Sequence, residues 1–238
     1  MPLPDISLVH ERYLALSRSA RASLGGTLAG KFLLRLAFDA EGVAAAVAAS
    51  VAGAATLCVD ADAETLRAGL RAGLCDFVVA NLDEALRILK NEIRRGLPVA
   101  VCLTASPESC AGEMAERGVQ PDLLSLDGPV FAGAQRMLDR GALPLSIDAA
   151  PLPETSLLRW SVATDAARAM PRIAALASES LDGNLEHSPA RRQWLELSPR
   201  YLGRAFGWQQ CVRMTATEST RFVERVQKQV PAATVKLA

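Results

Sequence analysis

The chain alternates between two hydrophobic patterns. Short, nearly continuous apolar runs occur at Phe32–Phe38, Thr56–Val59, Phe77–Ala80, Pro98–Thr104, Leu123–Asp127 and Leu143–Ile147, the pattern of parallel strands covered on both faces. Between them apolar groups recur at helical spacing: Val43, Val47 and Val51 among alanines, Leu66 and Leu70, then Leu82, Leu86, Leu89 and Ile93, and a segment across Phe131–Arg140. The punctuation agrees. Asn81 and Gly96 bracket the Leu82–Ile93 stripe, Asp60 or Asp62 caps the helix that ends at Gly73, and Ser106-Pro107-Glu108 opens one that stops at Gly118. Strand and helix alternating through short loops predict an α/β domain, an open and mainly parallel sheet with right-handed crossovers and helices on both faces. A further stripe, Leu8, Val9, Tyr13 and Leu16, precedes the first strand as a helix and ends at Gly25-Gly26.

The alternation stops near residue 150. The proline-rich AAPLPETS at 149–156 reads as a linker, so residues 1–150 are expected to form the α/β domain. Residues 151–238 follow as a mostly helical C-terminal segment packed on it, with helices near Asp165–Ser180 and Thr217–Val230. The last helix sets Phe222, Val226 and Val230 on one face.

Within the first domain, Leu33–Asp62 has the order of a nucleotide-binding βαβ unit, with an acid closing the second strand. It lacks the glycine cluster. The turn Ala37-Phe38-Asp39-Ala40-Glu41-Gly42 carries one glycine and two carboxylates where a phosphate cradle needs bare N–H groups and no negative charge. Ligands of such sheets gather at the carboxyl ends of the strands, which here gives a rim of Asp39–Gly42, Asp60–Asp62, Thr104–Glu108, Asp127–Pro129 and Asp148.

Composition narrows the classes. A 50% hydrophobic content over 238 residues supports a sizeable core, and 26 basic against 26 acidic residues leave no net field toward nucleic acid or anionic membrane. No apolar run reaches the length of a membrane span, and the prolines and charges of the first residues interrupt any targeting segment. The 5 cysteines show no CxxC spacing and sit mostly in apolar segments, the usage of a reduced, cytoplasmic protein. His10 and His187 are the only histidines, so no metal site is expected.

Several residues carry two readings. Asp60 either holds a ribose or caps a helix, and Ser106 either helps a helix N-terminus bind a small anion or is an ordinary N-cap. Cys102 and Cys110 flank the Ser106 turn and read as inert buried thiols. Arg159, Trp160, Arg191, Arg192, Trp194, Arg204 and Trp208 form either an anion or aromatic-ligand pocket or a dimer interface, and His187 reads as exposed in a polar loop. No Ser-His-Asp, Cys-His or paired-carboxylate constellation can be assembled.

Residues 51–89 and 94–124 resemble the core of the urocanase family, the NAD-dependent urocanate hydratases of histidine breakdown. The residues that carry the likeness are Leu24–Lys31 (LGGTLAGK), Leu82–Leu86 (LDEAL), Glu116–Asp122 (ERGVQPD), Leu158-Arg159-Trp160 and the helix led by Trp194. The resemblance implies a homodimeric, Rossmann-like domain in which tightly held NAD acts as an electrophile toward an imidazole substrate. Residue by residue, the cofactor apparatus is mostly replaced. Ala37–Ala46 stands where the family has its glycine-rich loop and keeps only Gly42; Ala105–Ser109, Ser125–Pro129 and Ser146–Ala149 stand at three further family motifs. Asp60 matches the acid expected at the adenosine ribose, and the family's later catalytic segment has no counterpart in this sequence. A pyrophosphate beside Asp39 and Glu41 would meet repulsion and steric exclusion of about 1–3 kcal/mol each, roughly 100-fold in affinity.

The expected protein is therefore a non-catalytic or repurposed urocanase relative, a homodimer that binds a small anion, a nucleotide or a protein partner and holds no NAD. Gly42, Asp60 and Ser106 are its only candidate cofactor-binding residues, and no catalytic or metal-binding residue is assigned. The alternatives are a working NAD-dependent hydratase or lyase with an altered loop, and a structural partner of an intact urocanase.

Overall fold

The computed structural model describes residues 3–126, 130–145, 152, 154–163, 165–202 and 204–237, and of Arg204 the backbone alone. The chain divides into two units, Met1–Ala149 and Ala150–Ala238. The first runs α1 (Ile6–Ser23), β1 (Phe32–Arg35), α2 (Ala40–Ala52), β2 (Ala55–Asp60), α3 (Ala63–Arg71), β3 (Phe77–Val79), α4 (Leu82–Arg95), β4 (Val99–Thr104), α5 (Pro107–Glu116), β5 (Leu123–Ser125), α6 (Ala132–Asp139) and β6 (Leu143–Leu145). Its six strands are all parallel, in the order β3-β4-β2-β1-β5-β6. This is the Rossmann-like α/β fold that the alternation of patterns predicts.

Alternation within each strand assigns the two faces. Phe32, Leu34, Leu57, Val59, Val101, Leu103 and Leu124 join one core with Leu82, Leu86 and Leu89 of α4, Met114 of α5 and Met137 of α6. The opposite face carries Leu33 and Arg35 of β1 in register with Thr56 and Cys58 of β2, and these in turn with Ala100 and Cys102 of β4. Ala44, Ala45, Ala46, Ala48 and Ala49 of α2 are buried, and α1 packs along α2. Small side chains let these two helices and the sheet approach closely.

Capping holds the helices where the sequence places them. Asn81 accepts from the Glu84 N–H at 2.8 Å and Gly96 ends α4 in the left-handed region; Ser106 accepts from Ser109 at the start of α5, with Pro107 following. The first strand is shorter than its apolar run. It ends at Arg35 because Phe38 turns out of the ladder and donates its N–H to the Asp60 carboxylate at 3.0 Å. The strand ends expected at Asp127 and Ser146–Ile147 fall outside the described residues.

The second unit adds a small sheet to the helices expected there. It contains β7 (Thr155–Val162), α7 (Ala166–Ser180), α8 (Ser188–Leu202), a short 3-10 turn at Arg204–Phe206, β8 (Gln209–Thr215), α9 (Ala216–Gln229) and β9 (Ala233–Leu237). The strands form an antiparallel sheet in the order β8-β7-β9. In β7 the two-residue period of Leu158, Trp160 and Val162, all buried, is the strand signal that the arginine and tryptophan content obscures. Phe222 of α9 packs on this sheet with its ring centroid 5.1 Å from that of Trp160. Among the described residues no helix is long and apolar enough to cross a membrane.

Candidate functional site

The carboxyl edge of the parallel sheet is organised by the first turn of α2. Asp39 is the N-cap, and its Oδ1 accepts the Gly42 N–H at 2.8 Å. The same carboxylate receives the Arg35 Nη2 at 3.2 and 3.4 Å. Arg35 is 2% exposed, at the end of β1, and its Nη1 also reaches Ser125 Oγ on β5 at 3.4 Å. Two residues on, Glu41 is paired with the buried Arg12 of α1 at 2.6 Å. Both carboxylates that looked like a barrier to a phosphate are therefore matched by guanidinium groups from inside the domain.

Gly42 is fixed by close approach. A Cβ there would lie 2.4 Å from the Ala37 carbonyl oxygen, so the glycine lets the turn fold tightly on itself. Its N–H is taken by Asp39, and its carbonyl lies 4.0 Å from the Cys58 Sγ. Asp60 is not the cap of α3; Asp62 is, accepting from Glu64 and Thr65. The two oxygens of Asp60 accept the N–H groups of Phe38 and Asp62 at 3.0 and 2.9 Å, so the acid at the end of β2 ties down the turn after β1. Ser106 lies beside it, since the Ala105 N–H donates to the Asp60 carbonyl at 3.1 Å, and it is an exposed helix cap. The fold thus gathers Gly42, Asp60 and Ser106 on one edge, with the donors and acceptors given above satisfied within the protein.

Sequence reasoning missed Arg35. It sits where the chain order reverses, between β2 on one side and β5 on the other, the switch point at which open α/β sheets take ligands. The signal was a lone charge in an otherwise apolar strand. Register makes it part of a buried polar row, Cys102, Cys58, Arg35 and Ser125, that crosses four strands. Hydrogen bonding with the thiols of Cys58 and Cys75, together with burial, pushes the Cys102 thiol up from its ordinary value, and burial pushes Cys110 up to about 12. All five cysteines are buried thiols, and among the described residues no group of three or more His, Cys, Asp or Glu is arranged to hold a metal ion. The rim positions Asp127–Pro129 and Asp148 lie outside the described residues.

A dinucleotide pyrophosphate uses bare backbone donors at the first βα turn. At Gly42 the donor is engaged by Asp39, and a phosphate would have to displace a carboxylate that Arg35 also holds.

Among the described residues, the arginine and tryptophan group of the C-terminal unit is divided between core and surface. Trp160 and Trp194 are core residues, with the Trp194 Nε1 donating to the Cys211 carbonyl at 2.6 Å. Arg191 makes a two-pronged pair with Glu218 at 2.6 and 3.0 Å, and Arg192 donates to the Leu181 carbonyl. Burial raises the Glu218 carboxyl, but the Arg191 guanidinium and the N–H groups of Asp182 and Thr215 outweigh it, and the net direction is down. Trp208 is 47% exposed, and His187 is half-buried. A family model, the urocanase Rossmann-like domain, matches residues 7–131, which span α1 to β5 and every element of the edge described above. That match covers more than half of the chain, which belongs to the urocanase family.

Proposed function

We propose that this chain is a non-catalytic or repurposed member of the urocanase family, a homodimeric cytoplasmic protein whose Rossmann-like unit binds a small ligand or a protein partner and does not hold NAD. One observation carries the reading: the N-terminus of α2 is capped by the protein's own carboxylate, Asp39, which is also paired with the buried Arg35. Asp39 supplies from within the negative charge that a pyrophosphate would bring to that helix end.

The geometry lowers the size of the barrier. The Asp39 side chain is 57% exposed and both carboxylates have guanidinium partners, so repulsion of a phosphate is screened to about 1 kcal/mol. Displacing a helix cap costs about 1 kcal/mol more. Together these weaken nucleotide binding by roughly 30-fold, less than the turn's composition alone implies.

Thermal unfolding of the purified chain with NAD at millimolar concentration tests this. Micromolar binding would stabilise the protein by about 4 kcal/mol at a thousandfold excess over Kd and raise the melting temperature clearly. The expected result is no shift. An upward shift, or NAD carried through purification, would overturn the proposal in favour of an NAD-dependent hydratase or lyase. Size-exclusion chromatography with light scattering tests the homodimer that the family resemblance supports.

A further inference from the structure

The antiparallel sheet of the C-terminal unit, outside the residues matched by the family model, has two unequal edges. At one, β8 is mostly buried and lies against α8 and α9. At the other, β9 pairs with β7 alone among the described residues, and each of its residues is exposed or half-buried. An edge strand offers a row of unpaired N–H and C=O groups, which proteins blunt with proline, a bulge or several charges. Ala233–Leu237 has no proline, its register against β7 is unbroken, and its only charge is Lys236.

The apolar face of the sheet also runs out at β9. Ala233, Val235 and Leu237 lie opposite Val162, Trp160 and Leu158 of β7, all buried, so they share the face on which Phe222 packs. Yet Leu237 is 74% exposed where Leu158 is 2%. On α9, which also contacts β9, the half-buried Val223 lies on the flank opposite Arg225, the residue that pairs with Glu179 of α7.

The strand is complementary to itself. In antiparallel pairing about a two-fold axis at Val235, Ala233 meets Leu237 of the second copy, Val235 meets Val235, and Thr234 meets Lys236. Small meets large on the apolar face, and each ammonium meets a hydroxyl on the polar one. A parallel in-register pairing, or an antiparallel one centred on Lys236, sets like charges directly opposite each other and is disfavoured. With 26 basic and 26 acidic residues the chain carries no net charge that would hold copies apart.

We propose that β9 is the seam of a homodimer: a second copy adds its own β9 antiparallel about Val235, joining two three-stranded sheets into one of six strands and covering Leu237. This rests on the homodimer proposed above and names its surface. The paired strands are short, which places the contact at the weak end of specific interfaces, with a dissociation constant of about 1–100 µM.

Sedimentation velocity of the full chain over about 0.5–500 µM tests this. Thr234 faces Lys236 of the partner subunit on both sides of the axis, so Thr234→Glu should tighten the dimer by about threefold to tenfold and Thr234→Lys should weaken it as much. Leu237→Asp should weaken it by about tenfold or more. Thr234 and Leu237 are exposed, and an unchanged circular-dichroism spectrum verifies that the fold is kept. A chain that stays monomeric throughout overturns this proposal and the homodimer together. A dimer unmoved by all three substitutions keeps the homodimer and overturns its seam alone, as does a shift in the same direction for Thr234→Glu and Thr234→Lys.

Discussion

Removing the Asp39 carboxylate tests directly whether the first turn of α2 is held together from within. Asp39→Ala deletes the acceptor of the Gly42 N–H and the partner of Arg35. The lost cap costs about 1 kcal/mol. The ion pair is discounted because Asp39 is more than half exposed, yet Arg35 is 2% exposed and its buried charge loses a carboxylate, which makes this part about 1 kcal/mol as well. The sum, about 2 kcal/mol, corresponds to roughly 4–8 °C in melting temperature for a unit of this size. Asp39→Asn keeps an oxygen for the cap and loses only the charge, so it should cost about half as much. Urea denaturation followed by far-ultraviolet circular dichroism measures both. Trp160, Trp194 and Trp208 are the chain's only tryptophans and all lie in the C-terminal unit, so circular dichroism rather than fluorescence follows the N-terminal unit. If Asp39→Ala costs less than about 0.5 kcal/mol, or if the two variants cannot be separated, the carboxylate is not what fills this helix end.

Four further outcomes follow from particular contacts. Gly42→Ala places a methyl 2.4 Å from the Ala37 carbonyl oxygen and should destabilise the N-terminal unit by about 1–3 kcal/mol, whereas Gly112→Ala, in α5 with open space around it, should stabilise by about 0.5–1 kcal/mol; thermal melts separate the two signs. Glu218→Gln leaves Arg191 charged and buried and should cost about 3 kcal/mol, read by tryptophan fluorescence in urea. The Glu218 carboxyl lies below its ordinary 4.5 in the folded protein, so its stabilisation is complete above that pH and is lost as the pH falls through the lowered folded value; acid titration of the wild type should show this loss and the Gln variant should not. All five cysteines are buried, so a disulfide reagent at pH 8 should label almost none of them natively and all of them in guanidinium.

The sequence by itself determined the order of strands and helices in the first unit, because burial on both faces of a parallel sheet leaves unbroken apolar runs and each covering helix writes its own stripe and caps. Asn81 with Gly96, and Ser106 with Pro107, were legible since a cap is a local contact between residues a few positions apart. The family was legible for the same reason, through short segments in a fixed order. Tertiary structure alone decided what the edge of the sheet does. Whether Asp39 repels a ligand or replaces one depends on Arg35 across the turn, and whether Glu41 is a bare charge depends on Arg12 in another helix. Asp60 braces the turn after β1 because Phe38 leaves the first strand opposite it. In the C-terminal unit, arginines and tryptophans suggested a pocket or an interface, but Arg191 found Glu218 and Trp194 found a backbone carbonyl. Composition states which groups are present; only long-range packing states which of them are already satisfied, and that balance sets what the protein has left to bind.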